Sequence, residues 1–303
     1  MSSIKGVYRM AFDVSGAFRI FCGELRFSDD ELSKIIDRYH SITRRINIDY
    51  WISSSSDLHS LYVGSYGRDT EIFASDIDML VQLPYGVYEK FSKYTNNGQS
   101  ALLQDVKKSI ARTYSTSRLK ADGQIISIPF SDGINFEVLP AFLNTDDSYT
   151  FANSNAGGSW KTTHPRAEIA AIQEMDNNCN SNLKRLCKMA RAWKENNNFN
   201  ISGILIDILS YNFISSWRYK DKSFLYYDWM SRDFFKYLSE VPTTQTRWKV
   251  MGSNRYITWD SNFQNKASIA YNNAQRAIDF ADNYPTLANS IWRGIYGGKF
   301  TKL

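Results

Sequence analysis

Within LYVGSYGRDTEIFASDIDMLVQLP (61–84), two aspartates, Asp76 and Asp78, open an apolar run that Pro84 stops. An ionised carboxylate beside an apolar strand is costly unless it is paired, hydrogen-bonded or bound to metal. Strand side chains alternate, so Asp76 and Asp78 share one face while Ile77 and Met79 share the other. Two carboxylates on one face repel unless a cation lies between them. Hard oxygen donors suit Mg²⁺, which commonly uses one or two carboxylates plus phosphate oxygens. A two-metal site needs one more carboxylate from a neighbouring strand. INFEVLP (134–140) offers Glu137, which shares a face with Asn135 and Leu139, opposite Ile134, Phe136 and Val138. Eleven residues before Asp76, Ser65 follows Gly64 in what reads as a tight turn leading into a short helix. The N–H groups of that turn, with the Ser65 hydroxyl, could cradle a triphosphate. Such a set points to metal-assisted phosphoryl chemistry, in which a hydroxyl is activated and the leaving pyrophosphate is neutralised. A D-x-D by itself is equally the decoration of an exposed strand; the combination is far more specific.

These residues need a sheet to hold them. Residues 77–83 and 134–140 read as strands, and 125–130, SDG (131–133) and 134–140 as a hairpin, Asp-Gly being a strong turn signal. Asp132 belongs to that turn, where aspartate is favoured for backbone reasons, and is the second choice for the third carboxylate. Residues 28–51 read as a long amphipathic helix: Ser28 and Glu31 form an S-x-x-E capping box, and Leu32, Ile35, Ile36, Tyr39, Ile42 and Ile46 recur at helical spacing. A second helix is expected over 98–112, and a polar Gly/Ser/Asn-rich loop over 143–165. Beyond it the texture is helical: 166–176, 181–197, 202–218, 230–239, 265–282 and a short helix near 286–294, with a small hairpin over 247–259. The expected architecture is α+β, with a catalytic lobe over 1–165 carrying a mixed sheet, a helical lobe over 166–303, and a central cleft.

At 303 residues the chain is long enough for one large domain or two lobes. Its composition, 43% hydrophobic and 22% charged, is that of a soluble globular protein. No run approaches the roughly 20 apolar residues of a membrane span, and no apolar leader core opens the chain. The net charge of +5 suits an anionic small ligand, while the absence of a dense Lys/Arg run argues against a required nucleic acid. Cys22, Cys179 and Cys187 lack C-x-x-C spacing, which fits a reducing cytoplasm. Lys184, Lys188 and Arg191 form a basic stripe opposite Leu183, Leu186, Cys187 and Ala190; a stripe of this kind is usually a solvated face.

GSYGRDTEIFASDIDMLV (64–81) resembles the signature of the DNA polymerase β-like nucleotidyltransferases, and more narrowly that of the bacterial cGAS/DncV-like nucleotidyltransferases, the SMODS family. FEVLPAF (136–142) resembles the strand carrying the family's third carboxylate, with Glu137 where many members have Asp. WKTTHP (160–165), LKRLCKMARAWKE (183–195) and SIWRGIYGGKF (290–300) resemble later family segments in the correct order. The resemblance implies an Mg²⁺-dependent enzyme, with Mn²⁺ able to substitute. It would join NTPs (ATP, with GTP, UTP or CTP as further candidates) into a cyclic oligonucleotide second messenger. That product would act on a separate effector in CBASS-type anti-phage defence, with regulatory or conjugating partner proteins. Asp76, Asp78 and Glu137 would be the catalytic metal ligands. Gly64 and Ser65, with Lys188 and its companion Ser202, would bind nucleotide, leaving Lys184 and Arg191 at the surface.

Arg68 reads as a phosphate contact or a solvated side chain, Thr70 as structural, and His40, His59 and His164 as structural or surface. Three other functions stay open at this level. One is a linear oligoadenylate-type or RNA-modifying enzyme, which should carry a more basic surface. Another is an enzyme that modifies a protein or small molecule. The last is an inactive nucleotide sensor, against which all three acidic positions are filled.

Overall fold

The structure, a computed structural model, describes residues 11–72, 76–260 and 262–300. Residues 1–10 of the expected leaderless N-terminus and residues 73–75 of the signature lie outside these. The chain forms two compact units that interleave in sequence. One is Phe27–Gln173 with Met251–Arg255. The other takes the segment through Arg26 with Glu174–Val250 and Tyr256–Leu303. Compactness thus divides the chain differently from the expected 1–165 and 166–303: the first helix, α1 (Val14–Glu24), groups with the C-terminal helices.

The sheet unit opens with α2 (Asp29–Ile46). Its Ser28 cap is the expected capping box, the Ser28 Oγ accepting from the Glu31 N–H and the Ser28 N–H donating to Glu31 Oε2 at 2.8 Å. Ile35, Tyr39, Ile42 and Ile46 are buried as their spacing requires, while Ile36, 100° around the wheel from Ile35, faces solvent at 46% exposure. The helix runs on as a π-helical turn, Asn47–Trp51, and stops where Ile52 turns left-handed. The fully buried Asn47 then ties down the serine-rich loop, donating to the carbonyls of Ser55 and Leu58.

Next come β1 (Ser60–Tyr62), the one-turn helix α3 (Gly64–Gly67), β2 (Ile77–Gln82), α4 (Tyr85–Ser92) and α5 (Gly98–Ala111). They are followed by β3 (Lys120–Asp122), β4 (Ile125–Ile128), β5 (Phe136–Leu143), β6 (Tyr149–Asn153), β7 (Ser159–Thr163) and α6 (Pro165–Asn178), within which the division between units falls. The main sheet order is β1-β2-β5-β4-β3. β2 and β5 are parallel, and the other neighbours are antiparallel. Beyond its pairing with β4, β5 pairs with β6, and β6 with β7. The expected loop over 143–165 is therefore a hairpin. Tyr149 and Phe151 point inward at alternate positions, and the surrounding Asn, Ser and Gly obscure that period-2 signal. One sheet face packs Met79, Val81 and Val138 against Ile35, Leu102 and Val106; the other covers Leu80 and Ala141 with Val63, Tyr149 and Phe151.

The helical unit contains α7 (Asn182–Asn196), α8 (Gly203–Ser216), α9 (Tyr227–Glu240), the strands β8 (Arg247–Lys249) and β9 (Tyr256–Thr258), α10 (Gln264–Phe280) and α11 (Pro285–Tyr296). Buried Ala267, Ala270, Ala274 and Ala277 line one stripe of α10. Its core is aromatic. Phe18 of α1 meets Trp292 and Phe300 with ring centroids 5.1 Å apart in each case, and Phe21 meets Tyr296 at 4.9 Å. The C-terminal WRGIYGGKF segment thus supplies core. Phe18→Ala, removing a fully buried ring at this junction, is expected to cost about 3–5 kcal/mol in chemical denaturation; a loss under ~1 kcal/mol would contradict this packing.

Candidate active site

Parallel pairing of β2 with β5 puts Asp78 directly opposite Glu137 in register. Asp76 stands two residues ahead, exposed, and its Oδ1 accepts from Asn135 Nδ2 at 3.2 Å. Asn135 is locked in turn, its Oδ1 accepting from the Phe130 N–H and its carbonyl from the Ile77 N–H. The sequence places Asn135 on the Glu137 face; its role in orienting Asp76 emerges only from the pairing of the strand starts. Burial, reinforced by the charge of Glu137, pushes the Asp78 carboxyl up to about 7, with Arg68 pulling it down and Asp76 adding a smaller upward push. Glu137 is raised above the usual carboxylate range by burial and then by Asp76. These carboxylates therefore sense one another.

Among the described residues no group of three or more His, Cys, Asp or Glu side chains is already arranged to hold a metal ion. The donor set still fits Mg²⁺, which needs few protein carboxylates when phosphate oxygens complete its shell. Asp132 is held elsewhere: Arg38 forks onto it at 2.7 and 3.0 Å and holds its carboxyl below the usual range.

The Gly64–Ser65 turn abuts this face. Gly64 has φ +60°, and a Cβ there would lie 1.9 Å from Asp78 Oδ2, so only glycine admits the carboxylate. The turn is braced by Thr70, whose N–H donates to the Ser65 carbonyl at 3.0 Å, as expected of a structural residue. Neither solvated nor exposed, Arg68 is buried and paired with Glu168 of α6 at 3.6 Å. Arg255 also holds Glu168, at 2.8 Å.

Lys188 and Ser202 lie in the helical unit, both half-buried. Ser202 is the N-cap of α8, its Oγ accepting from the Leu205 N–H. Lys184, also half-buried, donates its backbone N–H to Asp176. Arg191, expected at the surface, is buried and paired with Asp207 at 2.6 Å, because α8 packs over that side of α7. None of the three histidines joins the carboxylates: His40 faces Asp57, His59 stacks on Trp51, and His164 precedes α6.

The model of the Second Messenger Oligonucleotide or Dinucleotide Synthetase domain, SMODS, matches residues 12–176, more than half of the chain and all of the carboxylate site. The chain belongs to the SMODS family. Among relatives, a probable cyclic nucleotide synthase of Bacillus cereus (strain VD146) is 23% identical over 180 residues, 54% of this SMODS chain and 51% of its own length. The cyclic AMP-AMP-AMP synthase of Acinetobacter sp. (strain ATCC 27244 / 9458) is 20% identical over 264 residues, 82% of this chain and 74% of its own. The chain thus spans about half of the first relative and about three quarters of the second. CdnC of E. coli MS115-1, solved as a complex with HORMA-deltaN, shares the fold at a TM-score of 0.67 and 14% identity, over 95% of this chain and 98% of that one. The SMODS fold here is the expected polymerase β-like α+β fold, with its mixed sheet and helical C-terminal region.

Two outcomes follow from the packing at Asp78. In the native state this carboxyl gains its charge only near pH 7, against about 4 in the unfolded chain. Its contribution should be fully present below about pH 4 and lost as the pH rises to about 7. Thermal melts in chelator should fall across that window for the wild type and flatten in Asp78→Asn; equal slopes would refute the assignment. Gly64→Ala should lower the melting temperature and abolish turnover, since the new methyl occupies the carboxylate's position; a stable, active variant would show that the turn can move aside.

Proposed function

We propose that this chain is a nucleotidyltransferase that joins nucleoside triphosphates into a cyclic oligonucleotide and releases pyrophosphate. The carrying observation is the register of Asp78 with Glu137 on adjacent parallel strands, with Asp76 two residues ahead and Gly64 abutting the Asp78 carboxylate. Family membership and the names of the two synthase relatives support the product class.

A ribose hydroxyl of one nucleotide attacks the α-phosphorus of another. An O–P bond forms, the bond to the β-phosphate oxygen breaks, and pyrophosphate departs; a further round closes the ring. Asp76, Asp78 and Glu137 would hold Mg²⁺, with Mn²⁺ as a substitute, which when bound neutralises phosphate charge and acidifies the attacking hydroxyl. Glu137, or coordination of the hydroxyl to the metal itself, would help take the hydroxyl proton. Asn135 keeps Asp76 oriented, and Arg68 offsets the charge at Asp78. The Gly64–Ser65 turn offers N–H groups and a hydroxyl to phosphate oxygens. Lys188 supplies a positive charge, and Ser202 a helix start, for the donor triphosphate.

The product acts on a separate effector in CBASS-type anti-phage defence. A regulatory partner is in keeping with the HORMA complex of E. coli CdnC, and ATP as a substrate with the structure of CdnC solved with ATP. No described helix is long and apolar enough to cross a membrane.

Incubation with labelled NTPs and Mg²⁺ should give a phosphatase-resistant product without added nucleic acid. Asp76→Ala with Asp78→Ala should abolish it, and Glu137→Gln should slow it by roughly 10²-fold or more, the scale of a lost general base. Asp132→Asn should keep nearly full turnover. Full activity in the double variant would sink the carboxylate assignment, and a phosphatase-sensitive product would sink ring closure.

A further inference from the structure

We infer that the buried Arg191–Asp207 pair is a positioning device for Lys188 and Ser202; the inference rests on the reading that those two residues grip the donor triphosphate. Among the ties of the Arg191 guanidinium, three join α7 to itself and to the start of α8. Nη1 donates to Asp207 Oδ1 at 2.6 Å and to the Cys187 carbonyl at 3.3 Å, and Nη2 donates to the Gly203 carbonyl at 3.1 Å. Cys187 immediately precedes Lys188, and Gly203 immediately follows Ser202. The fork therefore ties α7, which carries Lys188, to the start of α8, which Ser202 caps, and Asp207, fully buried in α8, fixes the fork.

The chemistry of the pair argues for geometry over stability. Withdrawing two charges from water is expensive, and an apolar pair of similar volume is often as stable or more so. What an apolar pair lacks is direction. Lysine at 191 would keep the charge toward Asp207 but could not fork onto both carbonyls. The fit at Gly203 is close: a Cβ there would lie 3.3 Å from Arg191 Nη2. α8 begins at Gly203, directly after its Ser202 cap, so a shift of the fork would displace the cap with it.

The test compares the affinity of a non-hydrolysable ATP analogue and the melting temperature in two backgrounds. These are the wild type and Lys188→Ala/Ser202→Gly, glycine being an adequate N-cap. Arg191→Lys should weaken binding about tenfold in the wild type, the scale of one charge-assisted contact, and no more than about twofold in the background lacking both contacts. Its effect on melting should be the same in both. Equal affinity losses in the two backgrounds would make the pair purely architectural and overturn the inference. If Lys188→Ala/Ser202→Gly itself binds like wild type, the donor-site reading fails instead. Should Arg191→Lys not fold, Arg191→Met/Asp207→Leu keeps the volume without the fork. It should melt near the wild type yet bind about tenfold more weakly; wild-type affinity would overturn the proposal.

Discussion

Asp78 places an ionisable carboxyl where the sheet unit can least easily take a charge. Its strand neighbours Ile77 and Met79 are fully buried, and Glu137 faces it across the ladder. Everything around the site answers that strain. Gly64 yields the space a side chain would fill, Arg68 brings a buried positive charge, and Glu168, held also by Arg255, keeps that arginine in place. Parallel pairing of β2 with β5 is what makes the strain useful. It aligns the starts of two strands distant in sequence, so that acidic residues meet instead of passing each other. A carboxylate held near neutrality is poised to gain from any cation or phosphate-bound metal that arrives, which is the behaviour a phosphoryl-transfer site needs.

The helical unit solves a different problem, that of fixing the ends of helices. Its aromatic core, with edge-to-face, tilted and stacked ring pairs, gives bulk and cohesion. Directional contacts are what set register. Arg191 does this between α7 and α8, while Asn196 and Asn197 donate to the carbonyls at the end of α11.

Much of this was legible in residues alone, and the reasons are local. A capping box, an Asp-Gly turn and an alternating apolar strand each write their geometry into a few neighbouring positions, so α2, the β4–β5 turn and the faces of β2 could be read directly. α1 and α4 leave weaker traces: VSGAFRIFCGE contains two glycines, and α4 spans only eight residues. The burial of Arg191 could not be read from α7, whose basic stripe looks solvated until α8 is laid over it. The same holds for Arg68, whose partner Glu168 lies a hundred residues downstream. Pairings between distant segments are tertiary facts, and the spacing of one helix does not contain them.

The aromatic junction between α1 and the C-terminal segment also sets an order of events in the life of the chain. The main core of the sheet unit draws on residues 27–160, which emerge together and can collapse early. Phe18 and Phe21 have no such opportunity. Their partners Trp292, Tyr296 and Phe300 are made long after α1, and the Phe12 N–H waits for the carbonyl of Ala281. Closing so long a loop is slow in any folding reaction, and slower still on a ribosome that has yet to deliver the other end. Until those partners arrive, the apolar side chains of Phe18 and Phe21 lack the surface that buries them in the folded protein.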